Sequence, residues 1–247
     1  MNVLKFRLSG KTAFFKKPDV NSYFYFTYTN IHKVALLGLF GAILGYGGYN
    51  QYKRKMIMDK NCKDKYPEFY EKLKDIKIGI EPLNKNGVIS KKIQVFNNSV
   101  GYASKEQGGN LIVKEQWLEN PNWNIYILLD NDESKKICDY IVNRKSIFQP
   151  YLGKNDHFAN ITDIEVITDI EKIKNIDEIN SLFIEENIEF DLDDEEEYFK
   201  YSERLPVSLT QEDNMYEFKK FIFTNMLIED MESDFVYKVK NKNIMFF

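Results

Sequence analysis

The apolar stretch from Val34 to Tyr49 constrains the fold of this chain more than any other feature. It reads VALLGLFGAILGYGGY and contains 16 residues, five of them glycine. A membrane-spanning helix needs about 20 apolar residues, and charged residues precede the stretch, so we predict neither a membrane span nor a signal peptide. We interpret it as a buried helix that begins near Asn30, runs to about Leu44 and ends in a glycine-rich turn.

Three glycines within this predicted helix indicate a close neighbour. Gly38, Gly41 and Gly45 stand at positions i, i+3 and i+7 and share one helix face. Glycine lowers the stability of a helix interior, so its presence needs another reason. Close approach of a second backbone to this face is the reason we predict.

The other hydrophobic patterns predict an α+β fold. Residues 3–8 alternate between an apolar face (Leu4, Phe6, Leu8) and a partly basic one, as in a half-buried strand. The predicted order is strand, helix, strand, strand, helix, strand, which is the split βαβ pattern of ferredoxin-like and RRM-type RNA-binding domains. The later strands are predicted over 76–83, 123–129 and 161–168, the second helix of the pattern over 130–145 with Asp130 or Asp132 as its cap, another helix ending at 74, and an inserted hairpin over 89–118.

These patterns divide the chain into two parts. We predict a ferredoxin-like domain over 1–168 and a smaller, acidic, β-rich region over 169–247, with short strands at 205–209, 218–226 and 235–239. The run DLDDEEEYF at 191–199 could suggest Mg²⁺, but its charge density favours a solvated loop.

Charge is distributed unevenly between the two halves. Residues 1–124 carry 20 Lys and Arg against 10 Asp and Glu, whereas residues 125–247 carry 14 against 28. Such asymmetry suggests a polyanion partner for the first half, although charges that only solvate two surfaces would give the same counts.

The segment 9–30 is predicted to be a long loop that interleaves lysines with aromatic residues. Its lysines offer phosphate contacts, and exposed aromatic faces can stack on unpaired bases. The alternative is that the rings pack in the core, and we expect this of about half of them. The residues concerned are Lys11, Lys16, Lys17, Phe14, Phe15, Tyr23, Phe24, Tyr25, Phe26 and Tyr28.

The sequence offers little for metal or cofactor chemistry. Cys62 and Cys138 stand far apart without a CxxC pair, which predicts neither a zinc site nor a disulfide framework and fits a cytoplasmic location. Gly10-Lys11-Thr12 resembles the end of a phosphate-binding loop, but Lys5 occupies the position that such a loop needs as glycine. We predict no metal and no cofactor.

Metal-free RNA cleavage needs a general base, a general acid and a cation at the phosphate. His32, Tyr28 and Lys33 lie close together in the sequence, Tyr46 follows one helix later, and His157 lies in a glycine-containing loop. No spacing pairs them, and a structural role is favoured for each histidine.

Several motifs together resemble a known family. They are GKTAFFKKP at 10–18, TYTNIHK at 27–33, LLGLFGAILGYGGY at 36–49 and PYLGKNDHFANI at 150–161. In this order they are similar to the CRISPR-associated Cas family-five proteins, in the version of type I-B systems. The resemblance covers most of 3–168 and is weak over 169–247.

This resemblance implies a repeat-associated RRM-like fold and a place in the Cascade complex. There the family caps the 5′ handle of the CRISPR RNA and folds its hairpin, the thumb, over a flipped nucleotide. The implied partners are the CRISPR RNA, the backbone subunit and the large subunit, with target DNA near the protospacer-adjacent motif as a further candidate.

The type I-C branch of that family cleaves repeat RNA with a tyrosine, a lysine and a histidine. The segment SKEQGG at 104–109 has no neighbouring lysine and histidine. We therefore predict a binding subunit that is not an enzyme, with a metal-independent repeat endoribonuclease as the alternative and an RNA-free scaffold as a third possibility.

Chemistry and motif position give a set of predicted RNA-binding residues. The phosphate contacts are Lys5, Arg7, Lys11, Lys16, Lys17, Lys33, Lys53 and Arg54. The rings that stack on or wedge bases are Phe14, Tyr28 and Tyr46, with His32 beside them, and the residues that close the pocket are Gly153, Lys154 and His157.

Overall fold

The computed structural model describes residues 1–19, 24–59, 62–97, 99, 101, 105, 107, 109–186, 188–191, 197–231, 233 and 235–247. Tyr23 of the aromatic segment, most of the acidic run at 191–199 and several residues of the predicted hairpin between 98 and 108 lie outside the described residues. Within the described part of the chain, no helix is long and apolar enough to cross a membrane.

Helices and strands together form the α+β fold that was predicted. The helices are α1 (Lys33–Leu44), α2 (Tyr49–Met58), α3 (Glu68–Leu73) and α4 (Asp132–Val142), with a 3₁₀ turn at Lys85–Gly87. The strands are β1 (Val3–Ser9), β2 (Thr12–Ala13), β3 (Ile78–Pro82), β4 (Lys91–Asn97), β5 (Ile112–Glu119), β6 (Asn122–Leu128), β7 (Asn160–Ile167), β8 (Glu171–Lys172), β9 (Phe183–Ile184), β10 (Glu189–Asp191), β11 (Lys200–Leu209), β12 (Tyr216–Thr224), β13 (Leu227–Asp230), β14 (Val236–Val239) and β15 (Lys242–Met245).

Four strands form the central sheet in the order β3-β6-β1-β7. Every neighbouring pair is antiparallel, and Phe6 of β1 lies opposite Ile125 of β6. Alternation along β1 places Leu4, Phe6 and Leu8 in the main core, where α1 and α4 cover that face of the sheet. The predicted succession of four strands and two intervening helices is therefore present in this sheet.

The second face of β1 is less open than predicted. Val3 is fully buried and packs with Tyr126, Ile244 and Phe246 in a separate cluster. Residues near the end of the chain thus cover one end of this face, which local alternation could not indicate.

Helix α1 begins three residues later than predicted. Its N-cap is His32, whose Nδ1 accepts a hydrogen bond from the Ala35 N–H at 3.2 Å. Asn30, the predicted start, is buried instead: its side chain accepts from Trp123 Nε1 at 2.8 Å and donates to the Gly87 carbonyl at 2.9 Å. Satisfying the buried indole N–H outweighs the capping preference of asparagine.

The remaining helix predictions need two smaller corrections. The region that was predicted as one helix ending at Lys74 contains two helices, α2 and α3. Helix α4 is capped by Asn131, which accepts from the Ser134 N–H at 2.9 Å, and not by Asp130 or Asp132. The first difference is explained by Pro67, which stands at the N-cap of α3 and disfavours a helix that continues through it. The second arises because neighbouring capping residues of similar chemistry compete.

The predicted thumb is an antiparallel hairpin of β4 and β5, with β2 beside β5. Tyr25 extends this assembly, since its N–H donates to the Lys114 carbonyl at 2.8 Å and its carbonyl accepts from the Gln116 N–H at 2.9 Å. The aromatic segment is therefore attached to the hairpin and is not a free loop.

The chain beyond residue 168 is β-rich, as predicted, and contributes to the main core. Leu182, Leu205, Leu209 and Phe221 belong to the same hydrophobic cluster as β1 and α1. The Leu182 N–H also donates to the Ile80 carbonyl of the central sheet at 2.7 Å. The division into two domains at residue 168 stays a prediction, because residues from both sides of this position pack in one hydrophobic cluster.

Candidate nucleic-acid interface

A groove of about 650 Å³ lies where α1, the hairpin, the aromatic segment and the loop at 150–159 meet. We call it the central groove. It is lined by Phe14, Phe15, Lys16, Tyr25, His32, Ala35, Gly38, Leu39, Ala42, Phe96, Leu111, Val113, Glu115, Tyr151, Gly153, Lys154 and Tyr216.

Small residues of α1 form the floor of the central groove. Ala35, Gly38 and Ala42 follow one another at helical spacing along its lining. A Cβ placed at Gly38 would meet no atom within 4 Å, whereas one at Gly41 would lie 2.6 Å from the Phe69 Cβ. A close neighbour is therefore present at Gly41, but it is the Phe69 side chain and not the predicted second backbone, while Gly38 leaves space for a bound group.

Gly153 ties the loop at 150–159 to the aromatic segment. Its φ is +90°, and a Cβ there would lie 1.8 Å from the Phe14 carbonyl oxygen. Next to it, the Phe14 N–H donates to the Leu152 carbonyl at 3.1 Å. Only glycine permits this contact, which holds Lys154 at the edge of the groove.

Charged groups in the central groove are few and specifically placed. Lys16 is exposed, with its Nζ 4.1 Å from the centre of the Tyr25 ring. Lys154 Nζ lies 3.1 Å from Glu115 Oε2, and Trp117 Nε1 donates to the same oxygen at 2.7 Å. The groove thus offers two cations and one carboxylate among apolar and aromatic walls.

His32 reaches the groove from the start of α1, but its chemistry is restrained. It is 3% exposed, and burial lowers its pKa to about 3. Its Nδ1 is already occupied by the Ala35 N–H. A neutral, capping imidazole of this kind has a structural role at neutral pH.

Tyr28 does not lie where a base could stack on it. Its ring is 2% exposed and packs edge-on against His32, with ring centres 5.2 Å apart. Burial is the main cause that raises the pKa of its hydroxyl, with the Tyr216 and Glu203 charges adding to it. This position does not support the prediction of Tyr28 as a stacking ring, because the ring is buried in the main core.

His157 supports the groove from behind. It is 1% exposed, its Nδ1 lies 2.7 Å from Thr12 Oγ1 in a hydrogen bond, and its ring stands edge-on to Trp117. Burial lowers the pKa of this imidazole. Its position joins the 150–159 loop to β2 and the hairpin, which is a scaffolding role.

The predicted phosphate contacts of β1 and the aromatic segment lie on more than one surface. Lys5 and Arg7 lie on β1 opposite β7, and Arg7 pairs with Asp163 at 3.1 Å. Lys17 pairs with Glu203 at 3.1 Å. Lys11 is exposed and does not line the groove.

The predicted residues from the helices also lie elsewhere. Lys33 lines a different cavity, and burial lowers its pKa to about 8. The Tyr46 hydroxyl donates to Glu133 Oε2 at 2.6 Å, and the Lys72 Nζ lies 4.1 Å from the centre of the Tyr46 ring. Lys53 and Arg54 are exposed on α2, which has no buried residue. The predicted phosphate contacts therefore lie on several separate surfaces and do not all converge on the central groove.

Of the predicted residues, the central groove brings together Phe14, Lys16, His32, Gly153 and Lys154. Sequence reasoning missed Glu115, Phe96, Tyr151 and Tyr216. Alternation in the hairpin could have placed Phe96 and Glu115 on inward faces, but no local signal relates Tyr216 to α1. Within the described part of the chain, no three histidine, cysteine, aspartate or glutamate side chains form a metal site.

Comparison with solved structures identifies proteins that share this fold. The chain has the fold of a solved CRISPR protein. That protein, from Archaeoglobus fulgidus, superposes with a TM-score of 0.52 at 10% identity, over 99% of this chain and 98% of that one. At this identity the similarity concerns the fold and assigns no role to any residue.

Two further solved chains are similar at lower scores. One belongs to a CRISPR RNA-guided surveillance complex, with a TM-score of 0.49 and 12% identity over 92% of this chain and 90% of that one. The other belongs to a type III-B Cmr-beta complex bound to cognate target RNA, with a TM-score of 0.47 and 11% identity over 92% and 86%. No family model and no curated protein matches the sequence.

Proposed function

We propose that this chain binds CRISPR RNA in the central groove, as a subunit of a CRISPR effector complex. The observation that carries the proposal is the convergence of Lys16 and Lys154 with Phe96 and Tyr151 around one open groove. Phe14 also lines the groove, but at 4% exposure its ring is as buried as that of Tyr28 and is not counted among the stacking faces. Lysines neutralise phosphates, and aromatic side chains provide faces on which unpaired bases stack. The fold shared with a solved CRISPR protein supports this setting.

The narrower assignment follows the sequence resemblance. The chain would be a type I-B-like Cascade subunit that caps the 5′ handle of the guide, next to the backbone and large subunits. The position of the hairpin supports this role, because Phe96, Leu111 and Val113 already form one wall of the groove. An RNA strand on the α1 floor would lie directly beneath that wall.

We further propose that the chain is not itself the nuclease. The two residues nearest to a cleavage pair, His32 and Tyr28, are buried, and the imidazole is neutral and engaged in capping. Lys33 lines a separate cavity. These positions favour binding over proton transfer to RNA.

Charge reversal in the groove tests the proposal. Lys16→Glu should weaken binding of single-stranded RNA and reduce the slope of log K against log salt by about one. Lys135→Glu is the matched control, because Lys135 is an exposed lysine of α4 outside the groove lining. Equal losses in both variants would show that only total charge matters and would contradict the groove assignment.

Purification of the tagged chain from its own cells tests the setting. We expect CRISPR RNA and other effector subunits to accompany it. A protein complex without RNA would favour the scaffold hypothesis. A single cut in labelled repeat RNA in EDTA, lost in His32→Ala, would favour the endoribonuclease.

A further inference from the structure

Glu115 is a carboxylate in a groove that is proposed to hold a polyanion. Its side chain is 7% exposed and lines the groove between Val113 and the 150–159 loop. A carboxylate that faces RNA phosphates is repelled by them, so a groove that only held the backbone would be better without it. Its presence indicates that base edges, which carry N–H donors, face this part of the wall.

The side chain of Glu115 accepts hydrogen bonds from two donors, of which Trp117 stays in place and Lys154 can exchange. Trp117 lies two residues along the same strand, and its indole N–H donates to Oε2 at 2.7 Å. Lys154 reaches across from the other wall, 3.2 Å from Oε1 and 3.1 Å from Oε2, and is 35% exposed. An RNA phosphate can take over the Lys154 ammonium, because an ammonium donates equally to carboxylate and phosphate oxygens.

Once Lys154 turns to a phosphate, both oxygens of Glu115 have an open acceptor position. A carboxylate only accepts, so its complement is a pair of adjacent N–H donors. On the Watson–Crick edges, guanine presents such a pair in N1–H and N2–H, whereas adenine and cytosine pair one amino group with an acceptor and uracil flanks one N–H with two carbonyls.

We propose that Glu115 reads the Watson–Crick edge of an unpaired guanine in the central groove, while Lys154 holds a neighbouring phosphate. This inference rests on the proposed function, and it adds the base that the groove selects. The open space above Gly38 provides room for the purine ring on the α1 floor.

Short RNAs that differ at one base test the inference with the full-length chain. The probes are octauridine, the same oligonucleotide with one central guanosine, and the same with inosine, which lacks the N2 amino group. We expect guanosine to improve binding about tenfold over uridine, since a bidentate contact typically discriminates by that order, and inosine to retain only part of the gain. Because each ratio is measured within one variant, a partly unfolded sample does not change it.

Glu115→Gln should lose the preference for guanosine, because an amide presents one acceptor and one donor. Glu119→Gln is the matched control: Glu119 lies on the same strand, pairs with Lys92 at 3.6 Å and is absent from the groove lining. It should keep the preference.

Two results would overturn the reading of guanine and leave RNA binding intact. One is equal binding of all three RNAs by the unaltered chain. The other is Glu115→Gln binding every RNA more tightly by the same factor, which would mean that Glu115 only occupies Lys154. Failure of the unaltered chain to bind any RNA would instead remove the proposed function, and the inference with it.

Discussion

Gly38 and Gly41 allow the groove to be tested separately from the stability of the fold. Both lie inside α1, where alanine is more favourable than glycine by about 0.8–1 kcal/mol. At Gly38 nothing opposes this gain, since an added Cβ meets no atom within 4 Å. We therefore expect Gly38→Ala to raise Tm by about 2–4 °C in a chain of this length.

At Gly41 the same helix gain is opposed by a contact. An added Cβ would lie 2.6 Å from the Cβ of buried Phe69, so α1 and α3 must separate. Overpacking of this kind costs about 1–3 kcal/mol, which leaves a net loss of up to about 2 kcal/mol and a lower Tm for Gly41→Ala. Thermal denaturation followed by circular dichroism compares the two variants directly.

Gly38→Leu then addresses binding. Leucine is a good helix former, so this variant should fold at least as stably as the parent, but its side chain projects into the central groove. RNA affinity, measured by fluorescence anisotropy, should fall. A lower Tm for Gly38→Ala, or parental RNA affinity for a folded Gly38→Leu, would refute the reasoning.

The other predictions concern residues that support the site. The folded chain holds His32 neutral, with a pKa of about 3 against its ordinary value of 6.5, so protonation favours the unfolded chain and stability should decline as the pH falls below 6.5. Between pH 7 and pH 5 this amounts to about 2 kcal/mol in urea denaturation, and His32→Asn, which can still cap, should lose that dependence. Asn30→Ala should cost about 1–3 kcal/mol in the same assay, because the buried Trp123 N–H loses its acceptor, and an unchanged midpoint would contradict this. Gly153→Ala should expose the 150–159 loop to limited proteolysis, since its Cβ cannot be placed 1.8 Å from the Phe14 oxygen; parental resistance to protease would show that the loop can rearrange.

Local sequence patterns predicted strands and helices correctly where buried side chains recur at the spacing of a strand or a helix. Leu4, Phe6 and Leu8 were expected on one face of a strand and are buried there. The outer face was misjudged at Val3, because its neighbours Ile244 and Phe246 lie more than two hundred residues away. The periodicity of apolar residues indicates that a side chain is buried, but it does not indicate which distant segment packs against it.

The candidate site shows the same limit more strongly. The motifs around Phe14, Lys16 and Gly153 were predicted to converge, and they do so at the central groove. Phe14 and Tyr28, both predicted as rings on which bases stack, are buried at 4% and 2% exposure. Composition could say that about half of these rings belong to the core, whereas only packing decides which ones.

The sequence by itself therefore determined which stretches become strands and helices, that positive charge accumulates in the first half, and that lysines and aromatic rings interleave over 9–30. These properties depend on residues near one another in the chain. The tertiary structure decided which cations share a groove with aromatic rings, because Lys16 and Lys154 line the same groove only after the hairpin and the loop at 150–159 pack beside α1. It also placed Glu115 beside Lys154, a pairing that no local pattern contains, since long-range packing sets the distance between their charges.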